Sequence, residues 1–118
     1  MEIIHRIEQA EWHRPAGFDP GIDQFIVADT LDQERKTGMR TRFVRFAPGA
    51  ATKVPFIHDY DEEVYLVEGD QNLLDKNLLQ EIKQYQQGAY FVRPAGTYHG
   101  PFSSTDGCLL LEIHSYPA

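Results

Sequence analysis

Short runs of apolar and β-branched residues recur along this chain, and glycine, proline or polar clusters separate them. The runs cover residues 25–28, 40–47, 54–58, 63–68, 89–93, 97–102 and 108–114. Runs of this length and composition between turn-forming residues are typical of β-strands. Repeated at intervals of about ten residues, they favour a sandwich or barrel over alternating strands and helices. The pattern therefore predicts an all-β fold.

The segment between residues 72 and 85 fits two interpretations. Residues 72–75 and 78–83 would pair as a hairpin across Lys76-Asn77. The alternative is a helix, because four apolar residues also have helical spacing: Leu74, Leu78, Ile82 and Tyr85. We favour the strands because turn-forming residues flank the segment on both sides.

Alternation along a strand divides its side chains between two faces, but it does not say which face is buried. In residues 40–47 either face is apolar enough to point inward. In the last strand the purely apolar face is the better core stripe: Leu109, Leu111 and Ile113. His114 lies on the other face with Glu112, so we expect it to point outward.

Length and charge narrow the class of protein. We expect one domain over residues 1–118, with an irregular N-terminal arm at 1–24 and a core at about 25–114. The formal net charge of −7 argues against nucleic acid and anionic membrane surfaces as partners, because both attract basic proteins. No apolar run approaches the ~20 residues of a membrane span.

Targeting and redox features predict a cytoplasmic protein. The N-terminus has no basic region followed by an apolar one, so no secretion signal is predicted. Cys108 is the single cysteine, which rules out a disulfide within the chain and suits a reducing compartment. We expect it to be a buried, inert thiol. His5 and His13 are expected to be exposed in the arm, and residues 59–61 to form a surface turn.

Two stretches carry the candidate chemistry. In the first, His58 precedes Glu62 by four residues, and Gly69 follows. In the second, His99 follows the turn Pro94-Ala95-Gly96. Two imidazoles and one carboxylate at the edges of strands would form a metal site if they converge in space.

These stretches resemble the two motifs of the cupin superfamily. Glu62 and Gly69 have the spacing of the first motif, and His58 stands where its second histidine belongs. The second motif is matched at four fixed positions: Gly88, Pro94, Gly96 and His99. Ser103 replaces the usual asparagine. The resemblance covers residues 38–114. Around the second motif the sequence is similar to ChrR-type and dioxygenase-like small cupins.

The resemblance implies a jelly-roll barrel, or double-stranded β-helix, with a divalent metal inside it, usually iron, manganese, zinc or nickel. One departure matters, because Phe56 occupies the position of the first histidine. The implied ligand set is therefore reduced to His58, Glu62 and His99. Two histidines and one carboxylate with open positions suit a non-haem iron oxygenase, and zinc would add a water molecule.

Neighbouring residues have weaker assignments. Phe56 would line the substrate pocket. Arg93 would either meet an anionic substrate or form a salt bridge at the barrel rim. Tyr98 should point away from His99 and form part of the barrel wall. His114 is a candidate base or replacement ligand only if its face of the last strand points inward.

The resemblance and the ligand set predict a metal-dependent enzyme acting on a small organic molecule. Oxygenase chemistry is the first choice, and a redox-neutral hydrolysis, cyclisation or isomerisation of a carbonyl compound is next. The alternative is a non-catalytic cupin that binds or senses a small ligand without a competent metal site. The resemblance also implies a homodimer, in which the arm at residues 1–28 would exchange between subunits.

Overall fold

The computed structural model describes residue 2 and residues 6–117. Within them lie a short 3-10 turn, Ile7–Gln9, and seven strands: β1 Ile22–Asp29, β2 Met39–Phe46, β3 Asp61–Leu74, β4 Glu81–Gln86, β5 Tyr90–Arg93, β6 Phe102–Ser103 and β7 Cys108–Ser115. The all-β prediction is confirmed. No helix in these residues is long and apolar enough to cross a membrane.

Strand β3 connects the two sheets of the barrel. All pairings are antiparallel, and the first sheet runs β1-β2-β7-β3-β5. The second half of β3 leaves this sheet and pairs with β4 and β6. A bulge between Leu66 and Glu68 marks the change, and Gly69 follows it at a φ of 84°. Such a bulge bends a strand, so one long strand serves both layers.

The inward faces of β2 and β7 contain both apolar and charged side chains. On β2 the buried residues are Arg42, Val44 and Phe46. On β7 they are Cys108, Leu110, Glu112 and His114. The prediction that Leu109, Leu111 and Ile113 form the core stripe is therefore wrong. The more polar face points inward because its charged groups find partners inside the barrel, which apolarity along one strand does not reveal.

Several predicted boundaries also change. Residues 54–58 do not form a regular strand, and an isolated bridge joins Phe56 to His99. Residues 97–102 form a loop up to Phe102, where β6 begins. The helical alternative is wrong, because β4 pairs with β3 as a hairpin, although its turn covers residues 75–80 rather than Lys76-Asn77 alone. Tyr60 is not on the surface, since only 6% of it is exposed.

Gly69 offers a sharp test of the fold. A Cβ atom at this position would lie 2.0 Å from the carbonyl oxygen of Gly107, whereas a Cβ at Gly49 would meet nothing within 4 Å. Both glycines have similar positive φ values, 84° and 81°. Gly49→Ala should therefore cost only the conformational strain, about 1–2 kcal/mol. Gly69→Ala should cost about 4 kcal/mol, because backbone must move as well. Urea unfolding of both variants measures the difference, and equal losses would contradict this account of the bend.

Candidate functional site

A row of four polar side chains crosses the first sheet inside the barrel. The strand register places Arg40 opposite His114, His114 opposite Glu62, and Glu62 opposite Arg93. Residues directly opposite each other in a register have side chains on the same face, so each of the four contacts the next one in the row. His114 Nε2 lies 2.7 Å from Glu62 Oε2, and Arg93 Nη1 lies 3.0 Å from Glu62 Oε1. Glu62 is only 2% exposed.

The two predicted histidine ligands come from loops that face this row. The backbones of Phe56 and His99 exchange hydrogen bonds of 2.7 and 2.9 Å, which brings their loops together. His58 Nε2 lies 3.8 Å from Glu62 Oε2, and His99 Nε2 lies 3.7 Å from Glu62 Oε1. The imidazole centroids of His58 and His99 are 4.6 Å apart. The structure thus brings His58, Glu62 and His99 together.

These three residues fit a divalent metal ion. Ligand atoms about 2.1 Å from one ion stand roughly 3.0–3.4 Å apart. The two histidine distances to Glu62 are a few tenths of an ångström longer, and the three ligand atoms all lie within 4.8 Å of one another. Nε2 of His58 and Nδ1 of His99 are buried and have no hydrogen-bond partner. Burial lowers the pKa of His58 to about 4 and also lowers that of His99. Both imidazoles are therefore neutral at pH 7, which is the form that binds metals.

A second charged pair lies one row deeper in the barrel. Glu112 Oε1 accepts hydrogen bonds of 2.9 and 2.8 Å from Nε and Nη2 of Arg42. Arg42 also donates to Gln24 at 2.8 Å. Burial alone would raise the pKa of Glu112, but the charge of Arg42 and the nearby His114 outweigh it and hold that pKa well below its usual range. Glu112 is therefore ionised and already paired.

The space beside the three candidate ligands is small. The interior cavity has a volume of about 30 Å³, room for an ion and one or two water molecules. Phe56 lines it, and Phe18 from the arm stacks on Phe56 with ring centroids 4.9 Å apart. The buried side-chain oxygen of Gln71 also lines this cavity and has no partner. A ligand the size of an aromatic ring does not fit there.

A larger open cleft lies next to this cavity, with a volume of about 600 Å³. Arg93, His99 and Phe102 line both spaces, so they separate the cleft from the cavity. Exposed apolar side chains line much of the rest of the cleft, including Val92 and Tyr98, which are 61% and 68% exposed, and the charged residues Asp75 and Lys76 also line it. The cleft is therefore a route by which a larger molecule reaches His99.

The other residues predicted to be near the site, and the histidines of the arm, lie in different environments. Arg93 lies inside the barrel rather than at its rim, stacked 4.4 Å from the Phe102 ring and paired with Glu62. Tyr98 lies in the open cleft and does not line the interior cavity. His114 is fully buried in the polar row. His13 is exposed, whereas His5 lies outside the described residues.

Sequence reasoning missed several members of the site: Phe18, Arg40, Arg42, Tyr60, Gln71 and Glu112. Arg40 and Arg42 carried a weak signal, since two arginines two positions apart share one face of a predicted strand. No local signal distinguished that face from the outer one. Phe18 is distant from Phe56 in sequence and lies in an irregular arm, so only the tertiary structure shows that the two rings stack. Cys108, in contrast, is buried as predicted, and burial raises the pKa of its thiol to about 11.

Comparisons with known proteins identify the family and the fold. Residues 1–116 match the family described as the ChrR cupin-like domain. No curated protein sequence gives a significant match. An RmlC-like cupin from Shewanella frigidimarina is similar at 19% identity and a TM-score of 0.70, covering 99% of this chain and 93% of that one.

Two structures of named enzymes are also similar. The polyketide cyclase RemF from Streptomyces resistomycificus aligns at 18% identity and a TM-score of 0.74, covering 100% of this chain and 82% of that one. An acetylacetone dioxygenase from Acinetobacter johnsonii aligns at 16% identity and a TM-score of 0.73, covering 98% and 74%. At such identities the likeness shows the fold alone, which is the cupin jelly roll.

The buried neutral imidazole of His58 makes stability depend on pH. Its side chain is 18% exposed and its pKa is about 4, against an ordinary value of 6.5. The unfolded chain binds a proton at this residue at a higher pH than the folded chain. The free energy of unfolding should therefore fall as pH decreases from about 6.5 to 4, with a contribution on the order of 3 kcal/mol from this residue.

Urea unfolding over this pH range, in the presence of a chelator, measures the effect. His58→Gln should flatten the pH dependence. Equal slopes in the parent and His58→Gln proteins would contradict the assignment of a buried, neutral His58.

Proposed function

Because the chain belongs to the ChrR cupin-like domain family, we propose that it binds a divalent metal ion and acts as an enzyme on a small organic molecule. One observation carries the proposal: Nε2 of His58, which is buried without a hydrogen-bond partner, and Nε2 of His99 lie 3.8 and 3.7 Å from the Glu62 carboxylate. Leaving a buried nitrogen such as His58 Nε2 unsatisfied is costly, and an ion between the three side chains would satisfy it. His58, Glu62 and His99 would hold it.

The three ligand groups limit which metal ions the site would bind. Two imidazoles and one carboxylate suit iron or manganese with open positions, and zinc or nickel also accept such ligands. A bound ion of this kind would act as a Lewis acid on a carbonyl oxygen or support chemistry with dioxygen. Phe56 cannot coordinate a metal, so it leaves one position of the usual cupin site open to water or substrate.

Charge in the barrel favours an anionic substrate. The guanidinium groups of Arg40, Arg42 and Arg93 outnumber the carboxylates of Glu62 and Glu112, so the cluster is net positive even before an ion binds. A divalent cation would increase that excess. An enolate or a carboxylate would offset it, and Arg93 lies between the cavity and the cleft where such a group would enter.

The volumes of the cavity and the cleft indicate that different parts of the substrate would occupy them. The interior cavity accepts only a reacting group of a few atoms, whereas the open cleft has room for an apolar or aromatic body. Val92 and Tyr98 would contact that body, and His99 lies where the two spaces meet. We therefore propose a carbonyl compound with a chelating anionic end and an apolar remainder. Oxygenase chemistry is our first choice, and redox-neutral cyclisation, hydrolysis or isomerisation is the second.

A binding or sensing role is the second candidate. It is favoured by the ion pair between Arg93 and Glu62, which already neutralises the only carboxylate among the three proposed ligands. A cupin with this arrangement would hold a small anion without turning it over. Dioxygen consumption, or loss of a diketone absorbance, by the metal-loaded protein separates the enzyme from the binding module.

Elemental analysis of protein purified without a histidine tag or chelator tests metal binding. We expect near-stoichiometric iron, manganese, zinc or nickel in the parent protein and little in His58→Ala or His99→Ala, because each substitution removes one of three ligands. His13→Ala, on the exposed arm, serves as the matched control and should retain the metal. A metal-free parent after anaerobic reconstitution would overturn the metalloenzyme proposal.

We also propose that the protein forms a homodimer through the outer face of the first sheet. A row of apolar side chains crosses four strands there, in register: Phe43, Leu111, Tyr65 and Tyr90. Tyr65 and Tyr90 are 42% and 57% exposed, and the Tyr90 hydroxyl donates to the nearby Glu63 carboxylate. An apolar face of this kind serves both partners about a two-fold axis.

Light scattering coupled to size exclusion tests the dimer. Tyr65→Lys would place a charge at the centre of the apolar row and should shift the protein to the monomer mass. Ile82→Lys, at a side chain 62% exposed on β4, is the control and should remain dimeric. A parent protein that is monomeric at micromolar concentration would contradict the proposal.

A further inference from the structure

We infer that His114 is a positioning residue for Glu62, held by Arg40 as the neutral tautomer with its proton on Nε2, and that it is not a metal ligand. The tautomer follows from the hydrogen bonds alone. Its effect on metal affinity rests on the proposed function, in which Glu62 is a ligand.

The two nitrogens of His114 have partners with different chemistry. Nδ1 lies 3.1 Å from Arg40 Nε and 2.9 Å from Arg40 Nη2. A guanidinium group has hydrogen-bond donors only and stays charged, so Nδ1 must offer its lone pair. A neutral imidazole carries a single N–H, which is therefore on Nε2.

That N–H is directed at the carboxylate of Glu62. His114 Nε2 donates to Glu62 Oε2 over 2.7 Å, and the side chains are 0% and 2% exposed. A hydrogen bond to a buried ionised acceptor is short and strong, so it fixes the rotamer of Glu62. Each carboxylate oxygen has two lone pairs, so Oε2 keeps one that can face His58 Nε2, 3.8 Å away. His114 thus orients the proposed ligand without occupying its place.

The proton on Nε2 of His114 distinguishes two groups of residues that are close enough to bind a metal. Glu62, Glu112 and His114 are also close enough together to hold an ion. A histidine ligand must offer a lone pair to the metal. Nε2 of His114 has none to offer, because Arg40 donates to Nδ1 and the proton is therefore on Nε2. Oε1 of Glu112 already accepts two N–H groups from Arg42. This second group is therefore a hydrogen-bonded network, and the metal site is the group of His58, Glu62 and His99.

Arg40 has a further contact that fixes its position. Its Nη2 also donates to the Tyr60 hydroxyl over 3.3 Å. The Tyr60 ring stacks on His58 and packs at a tilt against His114, with centroid distances of 4.5 Å in each case. The guanidinium, the phenol and the two imidazoles form one packed unit, so Arg40 is held where both of its N–H groups reach Nδ1.

Nuclear magnetic resonance of metal-free protein with ¹⁵N-labelled histidine tests the tautomer. Long-range ¹H–¹⁵N spectra at pH 7 should give His114 an unprotonated Nδ1 and a protonated Nε2, assigned by the signals lost in His114→Gln. Arg40→Met removes both donors to Nδ1, so the Nδ1 signal should move toward the protonated value. Arg45→Met, on the outer side of the same strand, is the matched control. A protonated Nδ1 in the parent, or no change in Arg40→Met, would overturn the inference.

Metal titration then tests the positioning role. Removing the partner of a ligand typically weakens metal binding by about 10–100-fold. His114→Leu should lose affinity for Mn²⁺ in this range, whereas His114→Gln, whose amide can still donate to Glu62, should recover most of it. Equal affinities in the parent and His114→Leu proteins would refute positioning.

The experiments distinguish a failure of the proposed metal-dependent function from a failure of the inference about His114. If the parent binds no metal but His114 has the expected tautomer, the proposed function is wrong and the hydrogen-bonding role of His114 stands. If the parent binds metal and the tautomer is reversed, the metal site stands and the inference is wrong.

Discussion

The burial of one carboxylate, Glu62, constrains the rest of the barrel. An ionised carboxylate almost removed from water is very unfavourable unless charged and hydrogen-bonding groups surround it. Here the surrounding groups come from three other strands, since Arg93, His114 and, through His114, Arg40 meet it along one line of the strand register. The sheet must therefore form in this register for the interior to be satisfied. The same requirement explains why the polar faces of β2 and β7 point inward.

This arrangement also separates orientation from binding. His114 and Arg93 use one lone pair on each oxygen of Glu62, and His58 and His99 face the carboxylate at distances too long for hydrogen bonds. Nε2 of His58, which is buried and has no hydrogen-bond partner, and Nε2 of His99 are therefore the chemically available atoms beside the carboxylate. A protein that needed these residues only for stability would gain more by pairing them, because unpaired buried polar atoms cost free energy.

Phe56 changes this site relative to the usual cupin pattern. It replaces an imidazole with an apolar ring, and Phe18 stacks on that ring from the N-terminal arm. The interior is consequently small on this side, and the open cleft beyond Arg93 and His99 is the larger space. The loss of a ligand and the closing of the cavity on this side are therefore linked.

The sequence by itself determined the strand-rich fold and the identity of three candidate ligands, because turn residues and motif spacing are local properties. The hairpin at β3–β4 and the buried Cys108 were predicted in the same way. Only the tertiary structure decided which face of β7 is buried, that Arg93 pairs with Glu62, and that Arg40 and Tyr60 belong to the site. These features depend on the register between strands distant in sequence. Local alternation gives each strand two faces, and only the partners across the barrel select one of them.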